Sequence, residues 1–155
     1  MTSESSIINE ISVGHFFESW KDRLKLKLLG ENEGFDRIIR ESTVNRPGLL
    51  LSGFTEYFAS KRVQVFGSAE YTYLRTLDKN TRDQRNRLFF EQNVPCVVFG
   101  RDLDPGSEFL KLAKESRVPV FQSPMITMNF MNAATLALET HFAPRGSVMG
   151  SMVDI

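Results

Sequence analysis

The chain has 155 residues, 41% hydrophobic and 25% charged, with 19 basic residues balancing 19 acidic ones. That length predicts one domain able to bury about 70% of its unfolded surface, and the composition excludes a disordered chain. Zero net charge removes any long-range pull toward nucleic acid or an anionic membrane, and the single cysteine, Cys96, excludes an internal disulfide, as expected of a cytoplasmic protein.

Met1–Ser6 is polar and is expected to fray. The segment Met1–Glu10 has no basic start before an apolar core, so no signal peptide is expected. Ser12 is placed to cap a short helix carrying Val13, Phe16, Phe17 and Trp20. Leu24-Lys25-Leu26-Lys27-Leu28 alternates strictly and predicts a strand with leucines on one face and lysines on the other. Gly30–Gly34 reads as a turn, and Arg37–Arg40 as a second strand paired with the first in a hairpin.

Asn45–Gly53 is rich in turn formers, with Pro47 fixing φ and Gly48 permitting backbone closed to other residues. Arg62–Phe66 predicts a third strand, ended by Gly67, with Ser68 capping a helix over Ala69–Leu77. Asp78–Gln92 predicts a helix with a wide solvent face, anchored by Leu88 and Phe89. Two strand–helix units follow. Cys96–Phe99 is an apolar run typical of a strand buried on both sides. Asp104-Pro105 opens a helix whose Phe109, Leu112, Ala113 and Ser116 share a face. Val118–Phe121 is another strand, and Ser123-Pro124 opens a helix to about His141 with an apolar surface of Met125, Met128, Met131, Leu136 and Leu138. Met125–Leu138 is interrupted by Thr127, Asn129, Asn132 and Thr135, and no apolar stretch reaches the roughly 20 residues of a membrane span. The β-α-β-α rhythm predicts an α/β layered fold with parallel pairing in the second half and a mixed sheet overall.

The motifs of phosphoryl transfer are missing from these 155 residues: there is no G-x-x-x-x-G-K-[S/T] and no G-x-G-x-x-G. No G-x-S-x-G marks a hydrolase serine. His15 and His141 are far apart and sit in no zinc-binding pattern; His15 reads as a helix-surface residue and His141 as a favourable cation at a helix C-terminus. Cys96 lies in an apolar run with no cation beside it in sequence, which predicts a buried hydrophobe rather than a nucleophile. Asp102 and Asp104 lack a third metal ligand. The arginine-rich run Arg82–Arg87 is interleaved with an acid and lacks stacking aromatics, so it reads as a solvated helix face. The strongest binding candidate is an anion site where exposed backbone amides of the Pro47-Gly48 turn and of Gly53 meet the guanidinium of Arg46, with Arg62 a further candidate; the competing reading is a structural turn. No catalytic residue and no metal ligand are assigned. Arg62, Gln64 and Phe66 share a strand face, and the polar pair reads equally well as solvent-facing.

Several blocks recur together in the order and spacing of one family. They are Ile11-Ser12-Val13; Arg46-Pro47-Gly48-Leu49 with Gly53; Arg62, Gln64, Gly67, Glu70 and Leu74; Pro95-Cys96-Val97-Val98; Val118-Pro119-Val120; and Thr127, Phe130, Leu138-Glu139 and Ala143-Pro144-Arg145-Gly146. In these the chain resembles the N-terminal domain of bacterial HPr kinase/phosphorylase, from about Ile11 to Ile155. The resemblance implies a three-layer α/β/α fold with a mixed sheet, similar to the N-terminal domains of Mur ligases. Residues 1–145 are expected to form that domain, and 146–155, which read as the start of another strand, to lead into a C-terminal kinase domain. In the family that second domain uses ATP or pyrophosphate with Mg2+ to phosphorylate and dephosphorylate HPr, and the enzyme is hexameric. The resemblance therefore implies a regulatory or assembly domain, itself non-catalytic and without a cofactor. Its partners would be the kinase domain, HPr through the parent, and further copies of itself. Where the family has His-Gly at the entry to the kinase domain, this chain has Met149-Gly150. A stand-alone module for a phosphorylated metabolite or nucleotide-sugar, and a pure oligomerisation domain, are the alternatives.

Overall fold

The structure is a computed structural model that describes residues 10–31 and 33–142. The expectations for residues 1–6, for the exit block at 143–146, for Met149-Gly150 and for a strand over 146–155 lie outside the described residues. The chain opens with β1 (Ile11–Ser12) and α1 (Val13–Trp20), continues through β2 (Lys27–Leu29), β3 (Ile38–Ile39) and α2 (Gly48–Leu51), then β4 (Gln64–Phe66), α3 (Ser68–Thr76) and α4 (Lys79–Glu91). It closes with β5 (Val97–Phe99), α5 (Ser107–Glu115), β6 (Val120–Gln122) and α6 (Thr127–His141).

A four-stranded sheet in the order β2-β6-β5-β4 organises the molecule, with β4, β5 and β6 parallel and β2 antiparallel to β6. The parallel strands are short continuous apolar runs because both of their faces are covered. On one face Val65, Val98 and Phe121 meet Val13 and Phe16 of α1 and Phe130, Ala134 and Leu138 of α6. On the other face Phe66, Val97, Phe99 and Val120 meet Leu50 and Leu51 of α2, Phe89 and Phe90 of α4, and Phe109, Leu112 and Ala113 of α5. Successive strand residues thus feed opposite cores, as the two-residue period of a strand requires. The expected three-layer α/β/α architecture with a mixed sheet is the one observed. Among the described residues, no helix is long and apolar enough to cross a membrane.

Several local expectations are corrected. The alternating segment is a strand only from Lys27; residues 21–25 form a turn in which Lys25 takes φ 55°. Leu24 and Leu26 are nevertheless buried in the α1/α6 core, and Leu28 packs partly buried against it. The predicted hairpin does not form: β3 pairs with β1, and β2 pairs with β6. The intervening loop packs against the end of α5 instead of turning back. A Cβ on Gly34 would lie 2.0 Å from the Arg117 carbonyl oxygen, so only glycine allows that approach.

Three helix starts also move. Gly67 rather than Ser68 is the N-cap of α3, Gly106 rather than Asp104 that of α5, and Ile126 rather than Ser123 that of α6. Asp104 accepts from the Gly106 N–H at 2.9 Å, a turn contact one step before the helix. The Ser123 hydroxyl accepts from the Met125 N–H and donates to the Leu24 carbonyl, which ties β6 to the approach to β2. Ser12 and Asp78 do cap α1 and α4 through their side chains, and hydrogen bonding to Thr81 holds the Asp78 carboxyl below its usual range. In α4 the buried aromatics are Phe89 and Phe90, with Leu88 only half-buried. In α6 the core side is Phe130, Ala134, Ala137 and Leu138, while Met128 and Leu136 face outward.

The α2–α5 core is dominated by phenylalanines. Phe66 and Phe99, cross-strand neighbours, stack at 4.7 Å between ring centroids, and Phe109 meets both edge-on. Phe89, fully buried, touches Phe58, Phe66 and Phe90. Phe89→Ala is expected to cost about 3 to 5 kcal/mol, read as a lower urea midpoint at unchanged slope.

Candidate functional site

Arg46 leads into α2 at the carboxyl end of the sheet, and its guanidinium is held by Glu70 of α3. Arg46 Nε donates to Glu70 Oε2 at 3.0 Å and Nη2 to Oε1 at 2.6 Å. The same Oε1 accepts the Gly67 N–H at 2.8 Å, so one carboxylate caps α3 and anchors the arginine. Glu70 is only 5% exposed. A carboxylate so deeply buried is stable because it is paired, hydrogen-bonded and set at the positive end of a helix. Arg46 Nη1 also lies 3.8 Å from Met131 Sδ, which brings α6 into the cluster.

The other expected anion ligands distribute around this pair. Gly48 starts α2, and a Cβ placed there would lie 3.7 Å from Glu70 Oε2. Left-handed backbone occurs at Gly53, φ +107°, and not at Gly48. Gly53 lies toward Arg85 of α4, whose Nη1 donates to the Leu51 carbonyl and to the Tyr73 hydroxyl. Arg62 precedes β4 and pairs with Glu41. Arg46 and Gly48 are thus gathered around one carboxylate, while Gly53 and Arg62 are fastened to other partners. Glu70 carries a signal that the sequence reading passed over: it stands three residues after the glycine that caps its helix, the spacing of a capping box.

Gln64 corrects the idea of a solvent-facing strand side. It is fully buried, accepts from Asn45 Nδ2 at 2.8 Å, and donates to the carbonyls of Ala59 and Arg62 at 2.9 and 2.8 Å. Backbone bonds between Asn45 and Val63 and Val65 complete this seam, which covers the outer edge of β4. Beside it, Thr127 at the start of α6 leans over two strand ends. A Cβ on Gly67 or on Gly100 would lie 2.9 Å from Thr127 Oγ1, so these glycines allow the helix to approach the sheet. Thr127 Oγ1 is buried without a hydrogen-bond partner among the described residues.

The remaining candidates have structural partners. Burial pushes the Cys96 thiol up to about 12, the environment of an inert core cysteine. Asp102 lies in a loop where it and Arg101 take φ 55° and 57°, fixed by N–H bonds to the Ser123 and Met125 carbonyls. In the arginine run, Arg82 binds the Leu77 carbonyl and Arg87 pairs with Asp83, so that face of α4 is fastened by its own arginines as well as solvated. His15 and His141, distant in sequence, meet in space with ring centroids 5.2 Å apart. His141 Nε2 accepts the Trp20 indole N–H at 2.8 Å, which fixes the neutral imidazole. Burial, and secondly His15, push His141 below its ordinary value. Among the described residues, no three His, Cys, Asp or Glu side chains converge as a metal site would require.

A family model described as HPr Serine kinase N terminus matches residues 11–138. An HPr kinase/phosphorylase of Peptoclostridium acidaminophilum is 37% identical over 146 residues, which are 94% of this chain and 46% of that protein. Its counterpart in Clostridium botulinum is 36% identical over 117 residues, 76% of this chain and 38% of that protein. The chain therefore spans less than half the length of these relatives. The fold also matches, with a TM-score of 0.58 at 12% identity, a structure of the CBS and DRTGG domains of the regulatory region of Clostridium perfringens pyrophosphatase, covering 86% of this chain and 54% of that one.

Arg46→Ala leaves Glu70 buried with the Gly67 N–H as its remaining donor among the described residues, and is expected to cost about 3 kcal/mol in thermal or urea unfolding without any ligand added. Replacing both partners, as in R46M/E70L, is expected to cost less than Arg46→Ala alone, because no uncompensated charge remains. His141 supplies a pH dependence of definite sign. Its folded value lies below 6.5, so the neutral-imidazole contribution is complete above that pH and declines as pH falls toward the folded value. Trp20 is the sole tryptophan, so its fluorescence is expected to titrate with a midpoint below 6.5, and His141→Ala to abolish that transition.

Proposed function

Since this chain belongs to the HPr serine kinase N-terminal domain family, we propose that it is the regulatory and assembly domain of an HPr serine kinase/phosphorylase. In this reading the reaction of ATP or pyrophosphate with HPr takes place on a C-terminal domain beyond residue 155. ATP and Mg2+ are held there, and residues 11–142 serve as a rigid body through which copies of the enzyme are arranged and its activity is adjusted. The observation that carries the reading is what the family's polar motif residues do. Arg46, Gln64, Gly67 and Glu70 bind one another or the adjoining backbone, fixing α2, β4, α3 and α6 into one unit. Side chains arranged for catalysis would instead converge on a space where a substrate atom can sit. The relatives' greater length supports the same division of labour.

The test is phosphoryl transfer from labelled ATP to HPr. The 155-residue chain alone is expected to leave HPr unlabelled. Fused to the C-terminal part of the Peptoclostridium acidaminophilum relative, it is expected to support labelling and to change the assembly state compared with that C-terminal part alone. Label on HPr from the 155-residue chain by itself would overturn the proposal.

A further inference from the structure

The sheet face that α2, α4 and α5 cover is not covered to its edge. The helices there bury Val97 and Phe99 of β5 and Val120 of β6, but Leu29 of β2, the edge strand, is only partly buried, as is Leu110 of α5. Between them lies a hollow of about 320 Å3, at the lower end of the range of small-molecule sites. Its apolar lining is Leu29, Leu110, Ala113, Val118 and Val120. All five are aliphatic, and no aromatic ring lines the hollow among the described residues. The remaining wall, at Gly30, Glu31 and Glu33, stands where it does because Gly34 presses against the Arg117 carbonyl.

The rim of the hollow is charged and unbalanced. Lys111, Lys114 and Arg117 follow at three-residue intervals, so they rise along one side of α5 and its exit. Lys114 is paired with Glu31 at 3.6 Å. Lys111 and Arg117 have no ion-pair partner among the described residues. Three cations against the carboxylates of Glu31 and Glu33 leave the rim with one net positive charge. We infer that this hollow binds an aliphatic monocarboxylate, its hydrocarbon body against Leu29, Leu110 and Val120 and its carboxylate at the rim between Lys111 and Arg117. The lining selects the body, because it offers contact to a saturated chain and no ring on which an aromatic ligand would stack. The rim selects the head. A cation would meet a net positive charge, a phosphate monoester carries more negative charge than the rim offsets, and an alcohol leaves Lys111 and Arg117 unmatched. A carboxylate accepts from both an ammonium and a guanidinium in charge-assisted hydrogen bonds. The inference goes beyond the domain assignment above and does not depend on it.

Methyl-resolved NMR of the 155-residue chain titrated with octanoate is expected to show saturable one-to-one binding at millimolar concentration or below, with shifts concentrated at Leu29, Leu110, Val118 and Val120. Octanol, which lacks the charge, and acetate, which lacks the body, are each expected to bind about tenfold more weakly or worse. Lys111→Glu is expected to weaken octanoate binding by about tenfold or more and to leave octanol binding unchanged, which separates loss of the carboxylate contact from damage to the hollow. Ser107→Trp, at an exposed position on the rim, is expected to fill the mouth and abolish binding of both, with unchanged circular dichroism. Vesicles of phosphatidylglycerol are expected not to retain the chain, since the hollow takes one hydrocarbon body and not a bilayer. Absence of methyl shifts with octanoate at millimolar concentration, equal affinity for octanol, or octanoate binding indifferent to either substitution would each overturn the inference. So would retention on phosphatidylglycerol vesicles without saturable octanoate binding, which would assign the patch to a membrane surface.

Discussion

A carboxylate almost out of contact with water is stable only if the protein surrounds it with donors, and that requirement shapes the carboxyl end of this sheet. Glu70 accepts from two guanidinium nitrogens of Arg46 and from the Gly67 amide. Each bond fixes a different element. The arginine draws the entry to α2 against α3, the amide sets where β4 stops and α3 begins, and the arginine's remaining nitrogen reaches Met131 on α6. Removing one member leaves the others with desolvated polar groups, so the elements hold together as one body. Gln64 does the same three residues before Gly67, joining β4 to the segment before α2.

This arrangement changes what the sequence motif means. An arginine beside Pro-Gly, followed by spaced glycines, has the composition of an anion nest. Here the anion nearest to that arginine is supplied by the chain itself. The guanidinium and the helix N-terminus that a phosphate would use are both directed at Glu70. A recurrent polar motif can therefore mark an internal joint as readily as a site for a ligand, and residue types alone do not separate the two.

What was legible in the sequence follows from the range of the interactions involved. The cap at Ser12, the helix after Asp78, the parallel strands and the layered α/β arrangement are written in local periodicity and in apolar runs, whereas the number of layers, three, is what the family resemblance implies; all of these stand as read. The hairpin was misread because strand pairing is not local: β2 pairs with β6, Leu28 lying opposite Phe121, and no window around residue 27 contains that partner. Two of the helix starts, at Asp104-Pro105 and Ser123-Pro124, moved because a serine or aspartate before a proline can fasten a turn as well as cap a helix. Glu70 was visible as a residue but not as a partner, since the group it binds lies 24 positions away. The outer face of α6 could not be separated from its core face because methionine and leucine at helical spacing look the same whether they point into a core or away from it.

The position of β2 carries one more consequence. This strand is made well before β6, yet among the described residues the sheet edge it joins belongs to β6. Until Val120–Gln122 has left the ribosome, Lys27–Leu29 has no strand to align with, and α1 has no α6 to lean on. The N-terminal third must wait, its leucines and phenylalanines exposed, for a late docking event that closes both the sheet and the second core. Long-range closure of this kind slows folding and lengthens the interval in which apolar surface is open to other molecules. A nascent chain paused before β6 is therefore the form of this domain most in need of a chaperone.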